Sequence, residues 1–191
     1  MDKSIEKELR DIREVLTALK HSGHDGFEGL LASIFSAITN RTFRLAGSGS
    51  QHGKDGSGAA STGAIAFEAK LYTGAINKNE VLSKLTEILA SHPMPDLWVL
   101  GATIEMKTQI ADPLERATQK MGINLLLLDW SPSSSIPELA VLCALGKDAT
   151  VAFLEDKLKD KHQAKLAEAA LAKIQDHPSF EHCSQQILAF L

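Results

Sequence analysis

The chain has 191 residues, of which 44% are hydrophobic, so it is long enough to bury the core of one domain with an appendage. Its formal net charge of -4 does not mark the whole chain as a nucleic-acid-binding protein, since such domains usually carry a basic excess. Between residues 41 and 84, however, basic residues outnumber acidic ones. We therefore expect any contact with nucleic acid to involve this segment.

The cysteine content and the first residues of the chain indicate a cellular compartment. Only two cysteines occur and the chain opens with charged residues, so we expect a reducing, cytoplasmic setting. The longest apolar runs, such as residues 125–128, are far too short to cross a bilayer. We expect no membrane role.

Residues 1–20 predict a helix with one apolar stripe. The stripe recurs at alternating steps of four and three and consists of Ile5, Leu9, Ile12, Leu16 and Leu19. Two heptads are marginal for an independent coiled coil. The stripe therefore predicts either packing against the rest of its own chain or a seam between two copies.

A second helix and a glycine-rich segment follow. Phe27, Leu31, Ile34 and Ile38 recur at helical spacing, and Asn40 is suited to end the helix. Residues 41–46 predict a short strand. Residues 47–63 are dominated by Gly, Ser and Ala, which predicts a loop or hairpin around position 55.

Residues 64–72 alternate between apolar and polar side chains, which predicts a strand. One face carries Ile65, Phe67, Ala69 and Leu71; the other carries Glu68, Lys70 and Tyr72. Helical periodicity over residues 77–90 and 105–121 and apolar runs at 97–102 and 124–129 continue the pattern. These elements predict an α/β fold with helices flanking a central sheet.

Composition divides the chain into three segments. Residues 131–135 are typical of a linker, and residues 137–191 are rich in Ala, Leu, Lys and Glu at helical spacing. We expect an N-terminal helix at 1–20, a catalytic core at 21–130 and a helical C-terminal region at 131–191 that could lead to further modules. The apolar end of the chain predicts docking, either on this chain or on a partner.

Three residues suggest a metal-dependent site. Glu68 and Lys70 lie two positions apart on a strand, so both point from one face with α-carbons about 7 Å apart. Asp55, from the preceding loop, would supply a second carboxylate. Carboxylate oxygens are the ligands that Mg2+ prefers, and a nearby ammonium suits hydrolysis of a phosphate ester.

Each of these residues also has a structural explanation. Glu-x-Lys is common on solvated sheet faces. Asp55 followed by Gly56 is a favoured hairpin turn. The spacing of Asp25 and Glu28 fits a capping box at a helix start, which would give Glu28 a structural role.

The segments GSQHGKDG at residues 49–56 and FEAK at residues 67–70 resemble the PD-(D/E)XK nuclease superfamily, especially its Mrr-type branch. The resemblance covers roughly residues 26–130 and includes the order of elements, with a helix first and another after the Glu-x-Lys strand. Members often carry a glutamate on the first helix, here Glu28. Lys54 stands where some members have the proline that names the motif. The resemblance implies a restriction-endonuclease-like core, a mixed central sheet flanked by helices.

The chemistry that the resemblance implies is in-line attack on a phosphodiester. Asp55 and Glu68 would hold Mg2+, for which Mn2+ would substitute, with Glu28 nearby and Lys70 orienting the attacking water. Tyr72, Lys54 and Lys78 would contact the nucleic acid.

The implied biology is an endonuclease acting on double-stranded DNA, as the effector of a prokaryotic antiviral or restriction-type defence protein. Such domains are often fused to or associated with an NTPase or sensor module. Because cutting both strands requires two sites, we also expect a homo-oligomer. Two alternatives stay open: a non-catalytic DNA-binding or assembly module with this fold, and a junction or repair nuclease.

Overall fold

The structure, a computed structural model, describes residues 3–45, 56–58, 64–72, 74, 76–90 and 94–191. Within these residues the fold is mixed α/β. Its sheet is formed by β1 (Phe43–Leu45), β2 (Gly56–Gly58), β3 (Ile65–Lys70), β4 (Leu97–Ala102) and β5 (Asn124–Leu128), in that spatial order. The neighbours β1, β2 and β3 are antiparallel, whereas β3, β4 and β5 are parallel.

A short 3-10 turn at Lys3–Ile5 leads into the first helix. The helices are α1 (Glu6–Thr17), α2 (Phe27–Thr39), α3 (Lys78–Leu89), α4 (Thr108–Lys120), α5 (Glu138–Leu145), α6 (Lys147–Lys157), α7 (Lys161–Gln175) and α8 (Phe180–Leu188). The strand predicted at residues 41–46 and the strands and helices predicted between residues 64 and 129 are confirmed to within three residues at each end, whereas most of the loop or hairpin predicted at 47–63 lies outside the described residues. In the described part of the chain, no helix combines the length and apolarity needed to cross a bilayer.

The two faces of the sheet are covered by different helices. Phe67 and Val99 belong to a large hydrophobic cluster that includes residues of α2. Ala66 and Trp98, one position earlier on β3 and β4, belong to a second cluster that includes residues of α3 and α4. Since side chains alternate along a strand, Glu68 points to the face that α3 covers.

Helix α2 approaches β4 closely and ends as predicted. A β-carbon on Gly101 would lie 2.8 Å from Leu31 Cδ1, so a glycine at this position allows the contact. The helix ends at Asn40, which adopts a left-handed conformation with φ 52°. The sequence prediction of this helix end is confirmed.

The apolar stripe of the N-terminal helix is buried within the chain. Its five residues are between 1% and 6% exposed, and α1 packs against α7. Of the two predicted roles of the stripe, the structure shows packing against the rest of the chain. A seam between two copies through the same side chains would require α1 to leave α7.

The C-terminal region is packed into the same hydrophobic cluster as the other segments. Residues 139–144 of α5 are fully buried, and α5 contacts β5, α2, α7 and α8. The cluster extends from Ile5 to Ile187, and Leu191 packs against it. The three segments predicted from composition therefore share one core.

Candidate functional site

The predicted Glu-x-Lys strand ends where α3 begins. A helix that connects two parallel strands starts at the carboxyl end of the first strand, here β3. Asn77 caps α3, because its side chain accepts hydrogen bonds from the N-H groups of Asn79, at 3.1 Å, and Glu80, at 3.4 Å. Glu80 is thereby held in the first turn of α3, next to the end of β3.

Four side chains meet at this junction, and we call them the Lys70 cluster: Glu68, Lys70, Tyr72 and Glu80. Lys70 Nζ lies 2.6 Å from Glu68 Oε1 and 2.9 Å from Glu80 Oε1. The Tyr72 hydroxyl donates a hydrogen bond of 3.0 Å to Glu80 Oε2. Two carboxylates thus share one ammonium, and the tyrosine fixes the second carboxylate.

Burial strengthens the interactions in the Lys70 cluster. The side chain of Glu68 is 1% exposed, that of Lys70 13% and that of Glu80 43%. Burial acts to lower the pKa of Lys70, but the charges and hydrogen bonds of Glu68 and Glu80 outweigh it and raise that pKa above its usual range. The hydrogen bond from Lys70 lowers the pKa of Glu80. Both partners of this ion pair are therefore charged at neutral pH.

Tyr72 is affected by the same surroundings. Burial and then its hydrogen bond to Glu80 raise the pKa of Tyr72 to about 12. Its hydroxyl consequently stays a hydrogen-bond donor at neutral pH. The predicted contact between Tyr72 and nucleic acid stays a prediction.

Glu68 and Lys70 do not lie on an open polar face. Their face of β3 also carries Ala66, which is buried in the cluster under α3 and α4. Helix α3 covers this face with apolar side chains such as Val81 and Leu85. The face that carries the polar side chains of β3 is therefore covered at Glu68, and truncation of that side chain would leave a buried gap.

Thr103 ties the end of β3 to the neighbouring strand. Its fully buried hydroxyl accepts a hydrogen bond from Tyr72 N and donates one to Tyr72 O, each of 2.9 Å. Arg13 Nε on α1 donates to Thr103 O at 3.0 Å. These bonds fix the backbone of Tyr72 and connect the N-terminal helix to the site.

Glu28 has a structural contact that differs from the predicted capping box. The N-cap of α2 is Gly26, not Asp25, and no side chain caps it. Asp25 instead pairs with Lys157 at 2.9 Å. Glu28 Oε2 accepts a 2.7 Å hydrogen bond from Gly23 N, so it stabilises the loop before the helix. Because α2 packs on the sheet face opposite Glu68, the structure does not place Glu28 in the Lys70 cluster.

Asp55 and Lys54 lie outside the described residues. The strand register places Gly56, the residue after Asp55, opposite Phe67, the residue before Glu68. Lys78, the first residue of α3, is exposed close to the Lys70 cluster.

The donor chemistry of the site suits a divalent cation. Glu68 is a buried carboxylate that already has a cation, the Lys70 ammonium, 2.6 Å from Oε1. Across the described ranges, no group of three or more His, Cys, Asp or Glu side chains is placed to share a metal ion. A metal ion at Glu68 would therefore need a further ligand, for which the sequence offers Asp55, outside the described residues.

Sequence reasoning did not identify Glu80, Thr103 or Arg13. A signal for Glu80 was available, since Asn77 three residues earlier is a favoured N-cap and places Glu80 in a first helical turn. Thr103 and Arg13 have no such pattern, because their contact joins positions 90 residues apart.

Comparisons with protein-family models, curated proteins and solved structures give no match to this chain.

Proposed function

We propose that this chain is a Mg2+-dependent endonuclease with a restriction-endonuclease-like core that cleaves double-stranded DNA. One observation carries the proposal: a buried carboxylate, Glu68, lies 2.6 Å from the ammonium of Lys70 at the end of a central strand. The order of elements adds support. A helix, three antiparallel strands, a second helix and a parallel strand follow one another from α2 to β4.

In the proposed reaction, the metal and the side chains have different roles. Bound by Asp55 and Glu68, Mg2+ would activate water and neutralise charge on the phosphate, and Mn2+ would substitute for it. Lys70 orients the attacking water or stabilises charge on the phosphate. Glu80 holds Lys70, and Tyr72 holds Glu80, so the ammonium is fixed before substrate arrives. Glu28 has no part in this reaction scheme, because it accepts a hydrogen bond from Gly23 N and its helix covers the other face of the sheet.

Binding of DNA is assigned to the basic segment before and after the site. Lys54 and Lys78 would contact phosphates, and contacts of that kind add affinity that falls with salt. Tyr72 would contact the backbone beside them. By resemblance, the cellular role is that of an effector in prokaryotic antiviral or restriction-type defence, with a fused or associated NTPase or sensor module.

Plasmid cleavage tests the proposal. Supercoiled plasmid with protein and Mg2+ should be nicked, and EDTA should stop the reaction. Glu68→Gln and Lys70→Met should each abolish nicking while keeping the volume of the buried side chains. Lys157→Met is the matched control, because Lys157 forms an ion pair of 2.9 Å with Asp25, outside both the Lys70 cluster and the basic segment at residues 41–84. Nicking at the wild-type rate by Glu68→Gln would remove the proposed active site.

A non-catalytic DNA-binding or assembly module is the second candidate. The observation in its favour is that Lys70 satisfies two carboxylates at once, which is also how a purely structural ion network is built. Such a module would bind DNA without a metal bound at Glu68. Equal DNA affinity with Mg2+ and with EDTA, together with no cleavage, would favour it.

A further inference from the structure

Lys70 lies where it must respond to a metal ion. Its Nζ is 2.6 Å from Glu68 Oε1. A Mg2+ ion ligated by that carboxylate would lie about 2.1 Å from an oxygen of it. The two oxygens of a carboxylate can hold two cations, but at such separations the ammonium and the metal repel each other, and buried surroundings screen that repulsion weakly. The ammonium and the metal therefore compete for Glu68.

We propose that the Lys70 ammonium pairs with Glu68 only while no divalent cation is bound. When a divalent cation binds Glu68, the ammonium leaves Glu68 and stays paired with Glu80. The inference rests on the proposed function, since it concerns the same site. In the metal-free protein Lys70 bridges the two carboxylates; in the metal-bound protein Glu80 alone holds it. Glu80 is thus a positioning residue, which keeps the Lys70 ammonium at the site after Glu68 has bound the metal.

Glu80 is suited to receive the ammonium. Its Oε1 is already 2.9 Å from Lys70 Nζ, so the transfer requires a small movement of one flexible side chain. Its other oxygen is fixed by the Tyr72 hydroxyl at 3.0 Å, and its backbone is fixed by the Asn77 cap. Glu80 therefore keeps its place while Lys70 moves.

The charge of the cluster explains why the transfer is favourable. Without metal, two carboxylates face one ammonium, and the excess negative charge attracts a divalent cation. After metal binding, the ammonium of Lys70, whose side chain is only 13% exposed, still requires a counter-charge, and Glu80 provides it. In Glu80→Gln no second carboxylate remains, so metal binding would release Lys70 to solvent.

The fate of the Lys70 ammonium can be followed by NMR of its 15N-labelled side chain. An ammonium held by carboxylates exchanges its protons slowly enough to give a signal, whereas a solvated one does not. Loss of one signal in Lys70→Met assigns it. Calorimetry on the same samples records whether Mg2+ binds, and the signal of Lys157, which pairs with Asp25 and Asp156 away from the site, serves as an internal control.

The inference predicts three linked results. Wild-type protein binds Mg2+, and the Lys70 signal shifts but persists. Glu80→Gln shows the signal without metal and loses it as Mg2+ binds. The Lys157 signal changes in neither protein.

Two outcomes would overturn the inference, and they differ in whether the proposed function fails as well. If Mg2+ binds and the Lys70 signal persists unchanged in both proteins, Lys70 does not leave Glu68, and the proposed function stands without the transfer. If the wild-type protein binds no Mg2+, the transfer and the proposed function fail together.

Discussion

The carboxylate of Glu80 and the ammonium of Lys70 lie 2.9 Å apart across the junction between β3 and α3, although ten positions separate them in the chain. The parallel crossover from β3 to β4 creates this proximity, because it starts α3 beside the last residue of β3. The position of the Lys70 ammonium is therefore set in part by a residue outside the Glu-x-Lys motif. The consequences of this arrangement can be measured.

Glu80→Gln should lower DNA cleavage by about tenfold or more, the usual effect of losing a residue that orients a site group. The protein should remain stable, since 43% of the Glu80 side chain is exposed. Initial nicking rates and thermal melts measure the two effects. Glu87→Gln, which breaks only the surface pair with Lys84, is the control. Equal nicking rates in both variants would show that Glu80 does not position Lys70.

Tyr72 is the only tyrosine in the sequence, so its ionisation can be followed by ultraviolet absorbance without overlap. In wild-type protein its pKa is raised to about 12 by burial and by the hydrogen bond to Glu80. Glu80→Gln removes the negative charge and should therefore lower this pKa, while burial keeps it above about 10. An identical titration curve in the variant would contradict the contact between Tyr72 and Glu80.

Thr103→Val should lower the free energy of unfolding by about 1–3 kcal/mol, because it removes a buried hydroxyl and leaves the N-H of Tyr72 without its acceptor. Thr103→Ser keeps the hydroxyl and should lose less. Denaturant unfolding of both variants measures the difference. If the valine variant were as stable as the serine variant, the two hydrogen bonds would contribute nothing to the tie between β3 and β4.

A carboxyl pair at the end of β5 should make stability depend on pH. Burial, followed by the charge and hydrogen bond of Glu138, raises the pKa of Asp129 to about 6, although hydrogen bonds from the N-H groups of Met106 and Ser131 oppose the shift. Between about pH 4 and 6 the folded protein then binds more protons at Asp129 than the unfolded chain, so stability falls as pH rises through this window.

Glu138→Gln tests this pH dependence. The substitution removes the negative charge that faces Asp129, so the pKa of Asp129 should fall and the decline in stability should become shallower. The side-chain carbonyl of the introduced glutamine can still accept the hydrogen bond that Ser134 Oγ donates to Glu138 at 2.8 Å. Denaturant midpoints at a series of pH values measure the slope. Parallel curves for wild type and Glu138→Gln would contradict the coupling.

Local periodicity predicted the elements from residue 41 to residue 129, because side-chain alternation and helical spacing are properties of short segments. It did not predict that Glu68, on the polar face of its strand, is buried. Alternation shows which side chains share a face, but the cover that α3 and α4 place over that face depends on tertiary packing. The same limit applies to the N-terminal stripe, whose spacing demands a partner without showing that the partner is α7.

The candidate site was predictable as far as the motif extends. Glu68 and Lys70 share a face, as two-residue spacing on a strand requires, and they lie in contact. The Asn77 cap signal places Glu80 in the first turn of α3, but that Glu80 meets Lys70 depends on how α3 packs beside β3. The capping-box interpretation of Asp25 failed because the N-cap of α2 is one residue later, at Gly26, and Asp25 pairs with Lys157 instead.

The central claim is that Glu68 is part of a divalent metal site, and calorimetric titration with Mg2+ tests it most directly, since metal binding requires no DNA, trigger or partner. Glu68→Gln is compared with wild type, and Glu115→Gln, which changes an exposed carboxylate on α4, is the control. The account predicts Mg2+ binding by wild type and Glu115→Gln that is lost in Glu68→Gln. Equal Mg2+ binding by all three proteins, or none by wild type, would contradict it.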